Sequence, residues 1–240
     1  MDDFATLPGG IYIGGDGPNL VNADTDITGG FDNLILTFGG RDTVNAGQGD
    51  DAVMLGGGDD VASGGTGNDV ILGENGDDRV SGDAGDDVLE GEDGKDTLDG
   101  GTGDDVVSGG DGHDILAGGD GADVLDGGDG HDLIAGGAGA DLIVGGRGQD
   151  TMAGGSGGDT FVFESGFGKD VVLDFQKGVD KLEIETNING LNISQASDLA
   201  KYVSGNAVSS EITLKGDTIK LIGVSKADLL GNLSDYVKIV

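Results

Sequence analysis

Aspartate falls on every ninth residue from 51 to 159: Asp51, Asp60, Asp69, Asp78, Asp87, Asp96, Asp105, Asp114, Asp123, Asp132, Asp141, Asp150 and Asp159. Little positive charge is interleaved, because the whole chain carries 46 acidic residues against 12 basic ones. A regular file of carboxylates suits one chemistry above others, the gathering of oxygen ligands around a hard multivalent cation. Ca²⁺ takes about six to eight such ligands. Catalysis has little foothold: there is no HExxH and no cysteine nucleophile. Paired carboxylates of the glycosidase kind are already explained by the period and have no independent support.

The elements that must position these aspartates are readable from the same period. From Ala46 to Val162 the chain is thirteen consecutive nine-residue units without insertion, such as Gly64-Gly-Thr-Gly-Asn-Asp-Val-Ile-Leu72. Position 4 is always Gly, position 6 always Asp, and position 8 always apolar, from Val53 to Phe161. Positions 1 to 6 alternate Gly with polar residues, which is turn chemistry. Positions 7 to 9 are rich in Val, Ile and Leu and predict a very short strand. Strand side chains alternate, so Asp at 6 and the apolar residue at 8 share the inward face, and positions 7 and 9 face outward.

Composition narrows the partners. The 240 residues have a formal charge of −34, 53 glycines and no Trp. Phosphate recognition needs clustered Lys and Arg, so nucleic acid is excluded as a partner, and an anionic membrane surface would repel the chain. No stretch approaches the ~18–20 apolar residues of a membrane span. The N-terminus Met1-Asp2-Asp3-Phe4 lacks the apolar run of a Sec-type signal. With so much glycine and charge, the metal-free chain is expected to be expanded and mostly disordered, with the aspartate files repelling one another.

The pattern Gly-Gly-x-Gly-x-Asp-x-apolar-x resembles the repeat of the RTX family, the haemolysin-type calcium-binding nonapeptide proteins. The resemblance implies an all-β, right-handed parallel β-roll in which two units make one coil. It also implies that Ca²⁺ lies between the turns of units n and n+2, held by Asp carboxylates and turn carbonyls. Thirteen units pair in this way eleven times, for about eleven ions. Asp42 precedes the thirteen in frame and Asp170 follows them after a two-residue insertion, so both join the ligand set. Departures cluster early, with Ala46 and Leu55 at position 1 and Glu74, Asp83 and Glu92 at position 2.

Three segments are expected: an N-terminal cap with a degenerate repeat (1–36), the roll (37–162), and a β-rich C-terminal cap with a secretion signal (163–240). Phe31 and Phe38 are placed to cover the first coil. The stretch from Asp159 to Leu182 is similar to the segment that follows the repeats in serralysin-type proteases and alginate epimerase modules. Residues 212–222 predict a hairpin around Lys215-Gly216-Asp217, and Ser225 with Asp228 predicts a capped short helix. The tail through Asp235-Tyr-Val-Lys-Ile-Val240 resembles the uncleaved signals of type I secretion substrates, against the plainer reading of a last strand. The expected function is that of a non-enzymatic bacterial calcium-binding protein, exported by a type I apparatus, folding outside the cell and acting at its surface or in a matrix. The alternative is the folding and secretion module of a larger protease, lipase or epimerase.

Further groups stand outside that scheme. His113 and His131 share position 5 two units apart and should stack, as exposed turn residues or as a Zn²⁺ or Cu²⁺ pair. Phe161, Phe163, Phe167 and Phe175 read as a capping core rather than a ligand pocket. Position 7 of alternate units gives an outward, nearly all apolar ladder of Ala52, Val70, Val88, Val106, Val124, Leu142 and Thr160. Such a stripe predicts a contact surface, covered by segment 185–210 or by a second copy of the chain.

Overall fold

The computed structural model describes residues 10–22 and 32–240, together with the backbone course of 5–7. Two parallel sheets face each other, and the chain alternates between them at each nonapeptide. One sheet orders Ile11–Ile13, Leu34–Leu36, Ala52–Gly57, Val70–Asn75, Val88–Gly94, Val106–Gly112, Val124–Gly130, Leu142–Val144, Thr160–Phe163, Lys181–Ile184 and Val237–Ile239. The other runs from Leu20–Asn22 through Thr43–Gln48, Val61–Thr66 and their successors to Lys169–Val172 and the C-terminal strands. Val70 pairs with Val88 and Val88 with Val106, the 18-residue register of a parallel β-roll with two units per coil.

The strands are longer than positions 7 to 9. Val106–Gly112 spans seven residues and reaches position 4 of the following unit, with Gly110 paired to Gly128. A ladder needs only backbone N–H and C=O groups, so it continues through glycines that carry no strand signal of their own.

Position 8 forms the core. Val53, Ile71, Leu89, Val107, Leu125, Ile143 and Phe161 on one sheet face Val44, Ala62, Val80, Leu98, Leu116, Ile134 and Met152 on the other, and all are buried. Ala46 and Leu55 at position 1 also point inward and are buried. The position-2 departures keep the local backbone: Glu74, Asp83 and Glu92 have φ of 70°, 72° and 70°, where Gly65 and Gly101 have 110° and 112°. Phe38 occupies the same position with φ 68° and is 52% exposed. A position-2 side chain leaves the roll outward, so Phe38 does not cover the first coil; Phe31 lies outside the described residues.

Beyond Phe163 the packing is aromatic. Phe163 meets Phe167 edge-on at 5.1 Å, and Phe175 lies between Phe161 at 6.3 Å and Tyr236 at 5.8 Å. All five rings are buried, as a capping core requires. Ser209–Leu214 and Asp217–Ile222 form the expected hairpin, which joins the roll by parallel pairing with Lys169–Val172. Ser225 caps the helix Lys226–Gly231, its hydroxyl accepting the Asp228 N–H. The last strand, Val237–Ile239, pairs with Leu182–Ile184. Val70, Val106, Val124 and Leu142 stay exposed, so segment 185–210 does not cover the outward ladder; its Leu199 is buried in the C-terminal core instead. Among the described residues no helix is long and apolar enough to cross a membrane.

Candidate metal centre

Each repeat aspartate stands where the turn enters the strand, and its own backbone fixes it there. The C=O of Asp87 accepts the N–H of Val106, which begins the strand two units on. The N–H of Asp87 donates to Oδ1 of Asp105 at 2.8 Å, and the N–H of Asp105 to Oδ1 of Asp123 at 2.9 Å. The same bond recurs along both sheets and links every predicted site aspartate from Asp42 to Asp159. One column passes from Asp150 to Asp170 across the two-residue insertion. The other passes from Asp159 to Asp180, which the sequence reading missed because 21 residues separate the pair.

The second carboxylate oxygen is the chemically informative one. Oδ2 of Asp42, Asp60, Asp69, Asp78, Asp87, Asp96, Asp105, Asp114, Asp123, Asp132, Asp141, Asp150, Asp159 and Asp170 is buried and accepts no hydrogen bond from the protein. A buried, unpartnered carboxylate oxygen costs several kcal/mol, on the order of a full desolvation penalty. The protein pushes these groups toward the neutral form. Burial, then neighbouring carboxylates, raises Asp69, Asp78 and Asp132 to about 7, against the hydrogen bond to Oδ1. Burial raises Asp60, Asp96, Asp105 and Asp141 to about 6. Asp150 and Asp170 face each other and both are raised, burial again being the main cause.

What Oδ2 faces is a second oxygen. A Cβ built on Gly64 would lie 2.2 Å from Asp69 Oδ2 and 2.9 Å from the carbonyl oxygen of Gly82, two units on. Gly100 repeats this with Asp105 Oδ2 at 2.5 Å and Gly118 O at 2.7 Å, and the arrangement recurs at position 1 of each unit from Gly64 to Gly136. Glycine therefore keeps open a cradle into which a carboxylate oxygen and a carbonyl oxygen converge. Among the described residues no three His, Cys, Asp or Glu side chains come together as a metal site, so a cation here would take most of its ligands from backbone carbonyls. All-oxygen donors with few side chains fit Ca²⁺ and not the nitrogen and sulfur preferences of Zn²⁺.

Asp180 differs from the others. It is buried, but its Oδ2 accepts the N–H of Gln176 at 2.6 Å, so the protein itself closes that column. The other column meets an apolar residue, since Asp170 pairs with Ile219.

His113 and His131 do stack, 4.8 Å apart and 5° from parallel. Their Nδ1 atoms accept the backbone N–H groups of His131 and Gln149 at 2.8 and 2.9 Å. Nδ1 as acceptor places the proton on Nε2, which leaves the outward nitrogen a donor and not a metal ligand. The pair continues the role of the Asp and Asn side chains at position 5 on the opposite edge, where Asn68 Oδ1 accepts the N–H of Asp86.

Comparison with known proteins agrees with this geometry. Residues 54–89, 90–125 and 126–161 each match the RTX calcium-binding nonapeptide repeat, four copies at a time. No curated protein matches the chain. Among solved structures, the extracellular lipase LipA from Serratia marcescens is 22% identical with a TM-score of 0.39, over 72% of this chain and 40% of the lipase. The AlgE6R3 subunit of the Azotobacter vinelandii mannuronan C5-epimerase is 30% identical with a TM-score of 0.25, over 58% of this chain and 80% of that subunit. The AlgE6R2 subunit of the same epimerase is 26% identical with a TM-score of 0.27, over 55% of this chain and 91% of that subunit. With its unbroken nonapeptide period, its two-unit coils and its repeat matches, the chain belongs to the RTX family of calcium-binding nonapeptide-repeat proteins.

Proposed function

We propose that this is a secreted, non-enzymatic protein that stays unfolded where Ca²⁺ is scarce and folds into its roll on meeting extracellular Ca²⁺. The observation that carries this reading is the set of buried Oδ2 atoms without a protein partner. The ligands are Asp42 through Asp159 at the nine-residue period, and Asp170, each with turn carbonyls from the unit two further on. Pairing of units gives about eleven ions; the open glycine cradles from Gly64 to Gly136 account for nine of them. Titration with Ca²⁺ over ~0.1–10 mM, the range of extracellular modules, should convert a coil-like circular dichroism spectrum into a β-rich one. A β-rich spectrum in calcium-free buffer at pH ~8 would refute the reading.

Export through a type I apparatus, outside bacterial cells, follows from the same logic, because an unfolded acidic chain can be threaded. The tail from Asp235 to Val240 serves both readings that the sequence left open, a signal in the unfolded chain and a closing strand in the folded one. Its removal should reduce export while purified protein still binds Ca²⁺; undiminished export would reject the signal. The same roll would serve as the folding and export module of a larger secreted enzyme. The size of the native gene product decides between the two.

A further inference from the structure

At its N-terminal end each aspartate column changes character. One runs back from Asp60 to Asp42 and then, across 23 residues, to Asn19; the other runs from Asp69 to Asp51 and then to Asn33. Both asparagines are buried, and their backbones behave as the aspartates' do. Asn19 N–H donates to Asp42 Oδ1 and Asn33 N–H to Asp51 Oδ1, each at 2.6 Å.

The side chains do something the aspartates cannot. Asn19 Nδ2 lies among four oxygens: Gly17 O at 2.6 Å, Gly15 O and Asp42 Oδ1 at 3.1 Å, and Thr37 O at 3.3 Å. Asn33 Nδ2 repeats the last two contacts, with Asp51 Oδ1 at 2.9 Å and Ala46 O at 3.4 Å. Thr37 and Ala46 hold position 1 of their units, the position whose carbonyl, at Gly82 through Gly154, converges with an aspartate Oδ2. The next such carbonyl, Leu55 O, receives the Thr37 hydroxyl at 2.7 Å. Three successive position-1 carbonyls are therefore served by side-chain donors, and those from Gly82 to Gly154 converge with a carboxylate oxygen instead. A primary amide has two N–H donors, whereas the shell around Asn19 Nδ2 is an all-oxygen donor set of the kind that surrounds a hard cation.

We propose that the amides of Asn19 and Asn33 stand in the place of a calcium ion, so that these two residues set where the metal array begins. The N-terminal coil is then closed by protein donors, as the far end of one column is closed by the Gln176 N–H on Asp180. This rests on the calcium reading above. It adds that replacing either amide nitrogen by a carboxylate oxygen creates a further site.

The test is Ca²⁺ stoichiometry by native mass spectrometry at saturating Ca²⁺, with circular dichroism on the same samples. Asn19→Asp and Asn33→Asp should each bind one ion more than the wild type, and the double variant two more. Asn19→Ala, which removes the donors and supplies no carboxylate, should bind the wild-type number. Unchanged stoichiometry in both Asp variants overturns the proposal. So does a failure of both to reach wild-type β content at saturating Ca²⁺, because an ion held at the new carboxylate must restore the lost contacts. A wild type that binds no Ca²⁺ would instead overturn the reading on which the proposal rests.

Discussion

The repeat body and the C-terminal cap solve the same problem with opposite means. Residues 163–240 hold eight of the chain's twelve bases and eleven of its 46 acids, so the cap is close to neutral and the body carries nearly all the negative charge. In the cap, the rings of Phe163, Phe167, Phe175 and Tyr236 are buried, and Lys177–Asp228 and Lys238–Glu183 pair at 3.1 and 3.0 Å on its surface. The body offers roughly one core side chain per nine residues and places a carboxylate oxygen without a partner beside it. Apolar burial of about 2 kcal/mol per side chain cannot offset ordering nine residues, several of them glycine, at about 1–2 kcal/mol each. The cap is a small hydrophobic core, and the body rests far less on apolar burial.

The largest expected contrast is in the response to protons. The buried aspartates have folded-state values near 6 or 7 against 3.8 for an unfolded aspartate. A raised folded value means the folded roll binds protons more tightly than the coil does. Its stability without metal is full below about 4 and is lost as pH rises through about 6 to 7. In calcium-free buffer the chain should therefore be β-rich near pH ~5 and coil-like near pH ~8. Ca²⁺ affinity should fall as pH drops through that same window, because protons and metal compete for one oxygen. A coil-like spectrum at pH ~5 would show that charge on the columns is not what holds the metal-free body open.

Next in size is a change confined to the cap. Phe163→Ala removes a buried ring that packs on Phe167 and should cost about 3–5 kcal/mol in denaturant unfolding at saturating Ca²⁺. The number of bound ions should not change. A loss of ions in this variant would mean that cap and body are one cooperative unit with a shared metal requirement.

A smaller effect tests the body's backbone. Glu92 sits at φ 70°, paired with Gly110 in the ladder, at a position that is glycine in most units. A left-handed backbone costs a non-glycine residue roughly 1–2 kcal/mol. Glu92→Gly should raise the Ca²⁺-loaded stability by about 1 kcal/mol after glycine's own entropy cost is subtracted. A destabilised variant would show that the Glu92 side chain makes up for its strain by other means.

The period that makes the body legible also explains where sequence reading stopped. Register, core column and site aspartates follow from nine-residue phasing alone, because side-chain alternation and an 18-residue coil leave little freedom. The ends of the columns break the phase. Asn19 stands 23 residues before Asp42 and Asp180 stands 21 after Asp159, so loops hide their alignment although backbone hydrogen bonds reveal it. Phe38 was misread because its residue type suggests a lid, and position 2 directs it outward. Strand length was underestimated because Gly-Gly turns carry no β-propensity yet still pair. The column ends are a matter of hydrogen-bond geometry, which residue type alone did not carry.

The smallest effect is expected on the outside of the body. Val70, Val106, Val124 and Leu142 are each about two-fifths exposed on one sheet, whereas the corresponding ladder of the other sheet includes Arg79 and Thr97. A parallel sheet face is normally covered, and no segment among the described residues covers this one, so a second copy is the occupant the sequence reading leaves. Replacing Val88, Val106 and Val124 together with Thr keeps the branched shape and the strand preference while wetting the stripe. Exposed positions of this kind usually move folding stability by less than about 0.5 kcal/mol each. The thermal midpoint of the isolated protein should therefore hardly change, while the light-scattering mass of the Ca²⁺-loaded protein should fall toward that of one chain. A mass unaffected by the triple replacement would reduce the stripe to β-propensity and leave the cap and the columns as the body's only contacts.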